Sequence, residues 1–279
     1  MIEGRCPRFL AVLVMALAAN VVEGADGLLS NESALDAASW QVTLPKGCHA
    51  EPKTVAANWL YDAADQQRID ANPMMILKPD FENMPAHVWR DLEPCFPGND
   101  WFKAQWRLLP VVAYTRIYDR HHQVDADLQQ DFEQFSSWTR QGDLDSGWFF
   151  LPFLDTSKAF VVLPKRLKTD AFDGVRVIVQ FDVDGGNIAT AGRLLYVYQG
   201  LSADRSQFQL LIVPLRHPDL PDGDATEHLG VTRESLYESV AAREAYAGRL
   251  APWLETRADT MTPTLTTLDQ MVLSVHAQR

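Results

Sequence analysis

The segment from residue 158 to residue 214 limits the possible folds more than any other part of the chain. Residues 175–183 alternate apolar and polar side chains, and this period of two is typical of a half-buried strand. The polar positions of that strand are Arg176, Gln180 and Asp182. Residues 159–163, 194–198 and 208–213 are further apolar runs of strand length. Because the connections between the runs are short, we predict that the four strands pair as antiparallel neighbours.

Helical patterns precede and follow these strands. In residues 124–140 the apolar side chains are spaced four, four, three and three apart, which places them on one face of a helix. We predict a second helix over residues 232–254 and a third beginning at Thr262 and Pro263, with the threonine as its N-cap. The sequence therefore predicts an α+β fold, in which an antiparallel sheet of about four strands is covered by helices in a single main domain, residues 105–279.

Residues 25–104 form a region that is rich in tryptophan and proline. Five of the eight tryptophans lie before residue 110, and residues 84–110 contain four prolines. We expect residues 84–110 to pack as a cover, with residues 25–50 as a loosely ordered segment that leads into the fold. Clustered tryptophans favour core packing because each ring has a large area to bury, and an aromatic platform for sugars or peptides is the alternative.

Residues 1–24 have the layout of a secretory signal peptide. Arg5 and Arg8 precede an uninterrupted apolar run over residues 9–19, and Gly24 is a small residue at the predicted cleavage position. The run is shorter than the roughly 20 apolar residues that a spanning helix needs. A retained anchor or a buried N-terminal helix is the alternative. We expect an extracytoplasmic protein, periplasmic or secreted, with no lipid anchor and no membrane span after cleavage.

The cysteine pattern agrees with export. Cys6 lies inside the predicted signal peptide, which leaves Cys48 and Cys95 as an even pair in a chain bound for an oxidising compartment. We predict a disulfide between them that pins residues 25–104 and stabilises the fold by about 2–4 kcal/mol. Two buried free thiols are the alternative.

The charge of the chain excludes one class of partner. The sequence has 25 lysines and arginines against 37 aspartates and glutamates, a formal net charge of −12. No stretch is rich in lysine or arginine, and the phosphates of nucleic acids require clustered cations. We therefore expect no nucleic-acid partner for this acidic protein.

A hairpin signature carries a resemblance to a known family. Residues 196–204 read Tyr-Val-Tyr-Gln-Gly-Leu-Ser-Ala-Asp, and His-Pro-Asp-Leu-Pro follows at residues 217–221. The segment resembles the Tyr-x-Phe-Gln-Gly-Leu-Thr-x-Asp-Gly hairpin of uncharacterised bacterial exported proteins and lipoproteins. This chain differs at Tyr198, where the family has phenylalanine, and at Arg205, where it has glycine. The resemblance implies an exported single domain and brings no activity and no catalytic residue.

Turn chemistry also explains this signature. A glycine at the end of a strand often takes a positive φ, and an aspartate in a turn accepts hydrogen bonds from backbone N–H groups. We therefore predict that Gly200, which can take a positive φ, ends a strand and that Asp204 accepts backbone hydrogen bonds in the following turn.

Two groups of imidazoles and carboxylates are candidate ligand or metal sites. The first group is His121, His122 and Asp125, and the second is His217, Asp222, Asp224 and His228. Imidazole and carboxylate are ligands for zinc, although adjacent histidines do not easily face one metal ion. A solvated loop is the alternative for each group. The segment 182–187 matches a calcium loop only in part, so a hairpin turn is favoured there.

Sequence motifs of catalysis are missing from the chain. It contains no Gly-x-Ser-x-Gly elbow, no Ser-x-x-Lys, no His-Glu-x-x-His and no glycine-rich phosphate loop. We predict no catalytic residue and no cofactor, and favour a non-catalytic exported protein that binds a partner protein or a small ligand in the cell envelope. The alternatives are an extracytoplasmic hydrolase, metal-dependent or not, and a structural or inhibitory partner of another exported protein.

Overall fold

The computed structural model describes residues 40–57, 84–99, 102–119, 128–141, 157–182 and 186–277. All of them belong to one unit, Ala34–Arg279. The predicted signal peptide and the first candidate group, His121, His122 and Asp125, lie outside the described residues. Within the described ranges, no helix has the length and apolar character needed to cross a bilayer.

Most of the described secondary structure is β. The strands are β1 (Trp40–Gln41), β2 (Pro52–Val55), β3 (His87–Asp91), β4 (Gln105–Pro110), β5 (Ser157–Lys168), β6 (Phe172–Asp182), β7 (Leu194–Ser202), β8 (Gln207–Leu215), β9 (Glu227–His228), β10 (Val231–Thr232) and β11 (His276–Ala277). Seven of these form one antiparallel sheet in the order β2-β3-β4-β8-β7-β6-β5. Strand β1 pairs with β11, and β9 pairs with β10.

The predicted fold class is wrong, because the sheet has seven strands rather than about four and the described chain is mostly β. The four predicted strands are present as β5 to β8, each longer than expected. Of the three additional strands, β2 and β3 come from the region rich in tryptophan and proline, and β4 lies at the start of the predicted main domain. They are only four to six residues long, and buried polar residues such as His87 and Arg90 interrupt the alternation that would have revealed them.

The described helices lie on the two faces of the sheet. They are α1 (Val111–Asp119), α2 (Leu128–Gln141), α3 (Arg233–Glu238), α4 (Val240–Glu255) and α5 (Leu265–Leu273). Successive residues of a strand point to opposite faces. Accordingly, Val177 of β6 belongs to a hydrophobic cluster with Phe135 of α2. The next residue, Ile178, belongs to a second cluster with Leu250 of α4 and Leu268 of α5.

The predicted polar face of β6 is buried rather than exposed to solvent. Arg176, Gln180 and Asp182 are all at most 8% exposed. Arg176 contacts Asp269 of α5, and Gln180 bonds the backbone of Ile188 in the loop after β6. The alternation in the sequence therefore distinguishes the two faces of β6. One face is apolar, the other carries hydrogen-bonded polar side chains, and both are buried.

Two helix boundaries differ from the prediction. The helix expected over residues 232–254 is divided at Ser239, whose extended backbone ends α3 and whose side chain caps the start of α4. The last helix begins at Leu265 with Thr264 as its N-cap, so the prediction of Thr262 as the cap is wrong. Thr262 is unavailable for capping because its backbone bonds to Arg216.

Candidate functional site

The predicted disulfide between Cys48 and Cys95 is present, with the two Cα atoms 5.0 Å apart. Both cysteines are half-buried. The bond joins the segment after β1 to the turn after β3, residues 92–99. Because Val42 and Leu44 pack against the hydrophobic cluster that contains Ile178 and Leu250, the disulfide ties this turn to the body of the protein.

A cavity of about 280 Å³ lies beside the disulfide, and we call it the disulfide pocket. Its apolar lining residues are Cys95, Phe96, Pro97, Pro214, Leu215 and Pro263. Glycines 98 and 192 and three polar residues, Asn99, Arg216 and Thr262, complete the lining. Pockets for small molecules have volumes of roughly 300–1,000 Å³ and mostly apolar walls with a few polar groups. The disulfide pocket has this character at the small end of the range.

Hydrogen bonds within the turn of residues 92–99 fix one wall of the pocket. The N–H of Phe96 donates to the carbonyl of Leu92 at 2.8 Å. The side chain of Asn99 accepts from the N–H of Phe102 at 2.7 Å and donates to the carbonyl of Gly192 at 3.0 Å. This wall is therefore formed before any ligand arrives.

A backbone pairing at the end of β8 forms a second wall of the pocket. Arg216 and Thr262 exchange two N–H to carbonyl hydrogen bonds, each 2.9 Å long. Side chains of two residues paired in this way project from the same face. Both residues are exposed and line the pocket, and neither side chain makes a hydrogen bond or ion pair with another described residue.

His217, from the second candidate group, is buried next to this wall. Its Nδ1 accepts a hydrogen bond from the N–H of Asp219 at 3.1 Å, and its Nε2 lies 3.0 Å from the hydroxyl of Thr260. Because Nδ1 is an acceptor, the ring is neutral and carries its proton on Nε2. Burial lowers the pKa of His217, and the neighbouring carboxylate of Asp219 offsets part of this shift. Its polar atoms are thus used within the protein.

His228 packs against the same aromatic ring as His217. The indole of Trp253 has its centroid 5.0 Å from the His217 ring and 5.2 Å from the His228 ring. Nδ1 of His228 is 2.8 Å from the hydroxyl of Tyr246, and that hydroxyl also accepts from the N–H of Ala189. Burial lowers the pKa of His228, as does the proximity of His217.

The two carboxylates of the second candidate group do not join these histidines. Asp222 and Asp224 are exposed on the loop between His217 and His228. No set of three imidazole, thiol or carboxylate groups in the described part of the chain is arranged to hold a metal ion. We interpret the imidazole–indole cluster as packing that fixes this loop to α4. In the segment 182–187, Asn187 donates to the buried carboxylate of Asp182.

A buried charge network was missed in the sequence. Asp269 of α5 is 5% exposed and bonds Lys165 of β5, Arg176 of β6 and Tyr196 of β7. Burial, reinforced by the carboxylate of Asp269, raises the pKa of Tyr196 well above its usual value. These residues are 73 to 104 positions from Asp269 along the chain. The signal in the sequence was a charged residue, Arg176, inside a strand of high β propensity.

The hairpin signature has a partly different structural role from the one predicted. Gly200 lies inside β7 rather than at its end, and its φ is not positive. A side chain at this position would collide with the ring of Tyr198. Asp204 does stabilise the turn, accepting from the N–H of Ser206 at 3.0 Å. Arg205 completes the turn with a φ of 61°.

Comparisons with protein-family models, curated proteins and solved structures gave no match to this chain.

Proposed function

We propose that this protein is exported and that it binds a small, mostly apolar ligand in the disulfide pocket, without chemical conversion of that ligand. The observation that carries the proposal is the pocket itself, about 280 Å³ in volume, with an apolar lining and walls held by hydrogen bonds. A preformed cavity of this kind binds ligands without an ordering cost for the protein.

Three observations support a site outside the cytoplasm. Residues 1–24 have the layout of a signal peptide. The pocket borders the bond between Cys48 and Cys95, and such bonds persist in oxidising compartments. The resemblance of residues 196–204 to exported bacterial proteins points to the same location.

The placement of the described histidines favours binding over hydrolysis. His217 uses both ring nitrogens in hydrogen bonds, and His228 shares a hydrogen bond with Tyr246. Neither histidine lines the disulfide pocket. A general base must reach the proton that it removes, so these two residues are poorly placed to act on a ligand there.

A pair of glycine variants tests the pocket. At Gly192, which lines it, and at Gly223, on an exposed loop elsewhere, an added Cβ would meet no atom within 4 Å. We expect 4-phenylbutanol, a small neutral and mostly apolar probe, to bind the purified disulfide-bonded protein in isothermal titration calorimetry. Gly192→Phe places a large ring at the pocket lining and should abolish this binding, whereas Gly223→Phe should leave it unchanged. Absence of binding to the unmodified protein, or equal binding by both variants, would contradict the proposal.

Export is tested separately by sequencing the N-terminus of the protein in its native host. A mature chain that begins just after Gly24, or elsewhere shortly after the apolar run of residues 9–19, supports the proposal. A protein that retains Met1 and stays in the cytoplasm contradicts it.

A further inference from the structure

We infer that the disulfide pocket recognises a small organic anion, with a carboxylate held by Arg216 and Thr262 at the pocket mouth and an apolar body inside. This inference rests on the proposed function and names the chemical class of its ligand. It is carried by the pairing of two unused donors on one wall of an otherwise apolar pocket.

Arg216 alone carries a charge among the residues that line the pocket. Its guanidinium forms no ion pair within the described part of the chain. The whole protein has a net charge of −12, yet no carboxylate of the described residues pairs with this exposed arginine. A guanidinium presents five N–H donors and binds carboxylates with charge-assisted hydrogen bonds.

Two carboxylates near the pocket already have partners. Glu93, close to Gly98 on the pocket wall, pairs with Lys103 at 3.3 Å. Asp219, three residues beyond Arg216, lies 3.7 Å from the guanidinium of Arg257. Neither carboxylate is therefore left over to neutralise Arg216, and a ligand anion would take that role.

Thr262 supplies a second donor, and its backbone pairing with Arg216 fixes the positions of the two residues relative to each other. The two 2.9 Å backbone hydrogen bonds hold the Cα atoms of Arg216 and Thr262 directly opposite each other. Only side-chain torsions have to adjust when a carboxylate accepts from the guanidinium and the hydroxyl together. A carboxylate has two oxygens and enough lone pairs for both donors.

The rest of the lining selects the body of the ligand. Phe96, Pro97 and Pro263 present apolar surface to the cavity. Inorganic phosphate would meet Arg216 but leave this surface in contact with water, and it would gain nothing from its burial. An anion with an aromatic or short aliphatic body uses both parts of the pocket, and inorganic phosphate becomes an outcome of the test.

The experiment compares three probes that share one apolar body: 4-phenylbutyrate, 4-phenylbutanol and 4-phenylbutylamine. Isothermal titration calorimetry of the disulfide-bonded protein is expected to give the tightest binding for the carboxylate and the weakest for the amine. Arg216→Gln should weaken 4-phenylbutyrate binding by about tenfold or more, because a charge-assisted hydrogen bond is lost, and leave 4-phenylbutanol unaffected. Thr262→Val should weaken only the carboxylate, and by less.

Arg205→Gln is the matched control, because it removes the same charge from the turn at the other end of β8. It should leave the binding of all three probes unchanged. In the unmodified protein, added NaCl should weaken the carboxylate and not the alcohol, a readout that depends on no variant.

Three outcomes would overturn the inference. They are carboxylate and alcohol binding with equal affinity, equal effects of Arg216→Gln and Arg205→Gln, and inorganic phosphate competing as well as 4-phenylbutyrate. After any of these outcomes, the proposed binding of apolar ligands in the pocket still holds if Gly192→Phe abolishes 4-phenylbutanol binding. If that variant has no effect, the proposed function fails first.

Discussion

The hydroxyl of Tyr196 donates a 3.0 Å hydrogen bond to Oδ1 of Asp269, which joins the hairpin signature in β7 to helix α5. The same oxygen accepts from Nε of Arg176 at 3.3 Å, and Oδ2 accepts from Nζ of Lys165 at 2.7 Å. The carboxylate is buried, so its charge depends on these donors. It also neutralises Arg176, a guanidinium that is nearly as buried.

Asp269→Asn should therefore cost more stability than an ordinary surface change. The variant leaves the guanidinium of Arg176 buried without a charged partner, and we expect the free energy of unfolding to fall by about 3–5 kcal/mol in urea denaturation. Asp173→Asn is the control, since Asp173 pairs with Arg166 in a more exposed position. It should cost about 1 kcal/mol or less. Equal losses in the two variants would show that burial of the network does not increase its contribution to the free energy of unfolding.

Arg205→Gly should stabilise the protein. Arg205 has a φ of 61°, a left-handed conformation that costs a residue with a Cβ about 1–2 kcal/mol. Glycine avoids this cost but loses more conformational entropy on folding, so the expected gain is at most about 1 kcal/mol. The shift of the thermal unfolding midpoint measures it. Arg205→Ala separates the backbone effect from the loss of charge, because alanine retains the Cβ, and a similar gain there would reject the explanation.

Acid should destabilise the protein through its buried histidines. Burial lowers the pKa of His87 to about 4, and the guanidinium of Arg107 beside its Nε2 lowers it further, against the opposing effect of the hydrogen bond that Nδ1 donates to the carbonyl of Pro85. The pKa values of His217 and His228 are lowered in the same direction, also by burial. In the unfolded chain, histidine takes up a proton near pH 6.5.

The sign of the effect follows from proton uptake. Below about pH 6.5 the unfolded state binds more protons than the folded state, so stability is complete above that pH and falls as the pH decreases toward the folded pKa values. Urea denaturation between about pH 7.5 and 5.5 should show this loss, and His87→Gln should reduce its slope. If the slope of the variant equals that of the unmodified protein, His87 does not contribute.

The sheet could be predicted from the sequence only where a strand keeps its period. Strand β6 shows valine at alternate positions, and its neighbours are long apolar runs. Strand β3 has only five residues and buries His87 and Arg90 among them, so it has no apolar stripe. Its place in the sheet depends on pairing with β2 and β4, which local patterns do not record.

The candidate site was predicted in part. The Cys48–Cys95 bond followed from the number of cysteines and the expected compartment. The pairing of Arg216 with Thr262 could not be predicted, because it joins the end of β8 to a residue 46 positions later that has the local pattern of a helix cap. The second candidate group contained two histidines that do meet, but at an indole ring and not at a ligand.

Removing the disulfide should affect both stability and binding. The bond closes a loop across 47 positions and contributes about 2–4 kcal/mol, mainly by restricting the unfolded chain. Cys48→Ser with Cys95→Ser should lower the free energy of unfolding by this amount in urea denaturation. Because Cys95 lines the pocket, loss of the bond frees one wall, and the variant should also bind 4-phenylbutanol more weakly. Calorimetry at a temperature well below unfolding measures this affinity. Unchanged affinity in a destabilised variant would mean that the hydrogen bonds of Asn99 alone hold the wall.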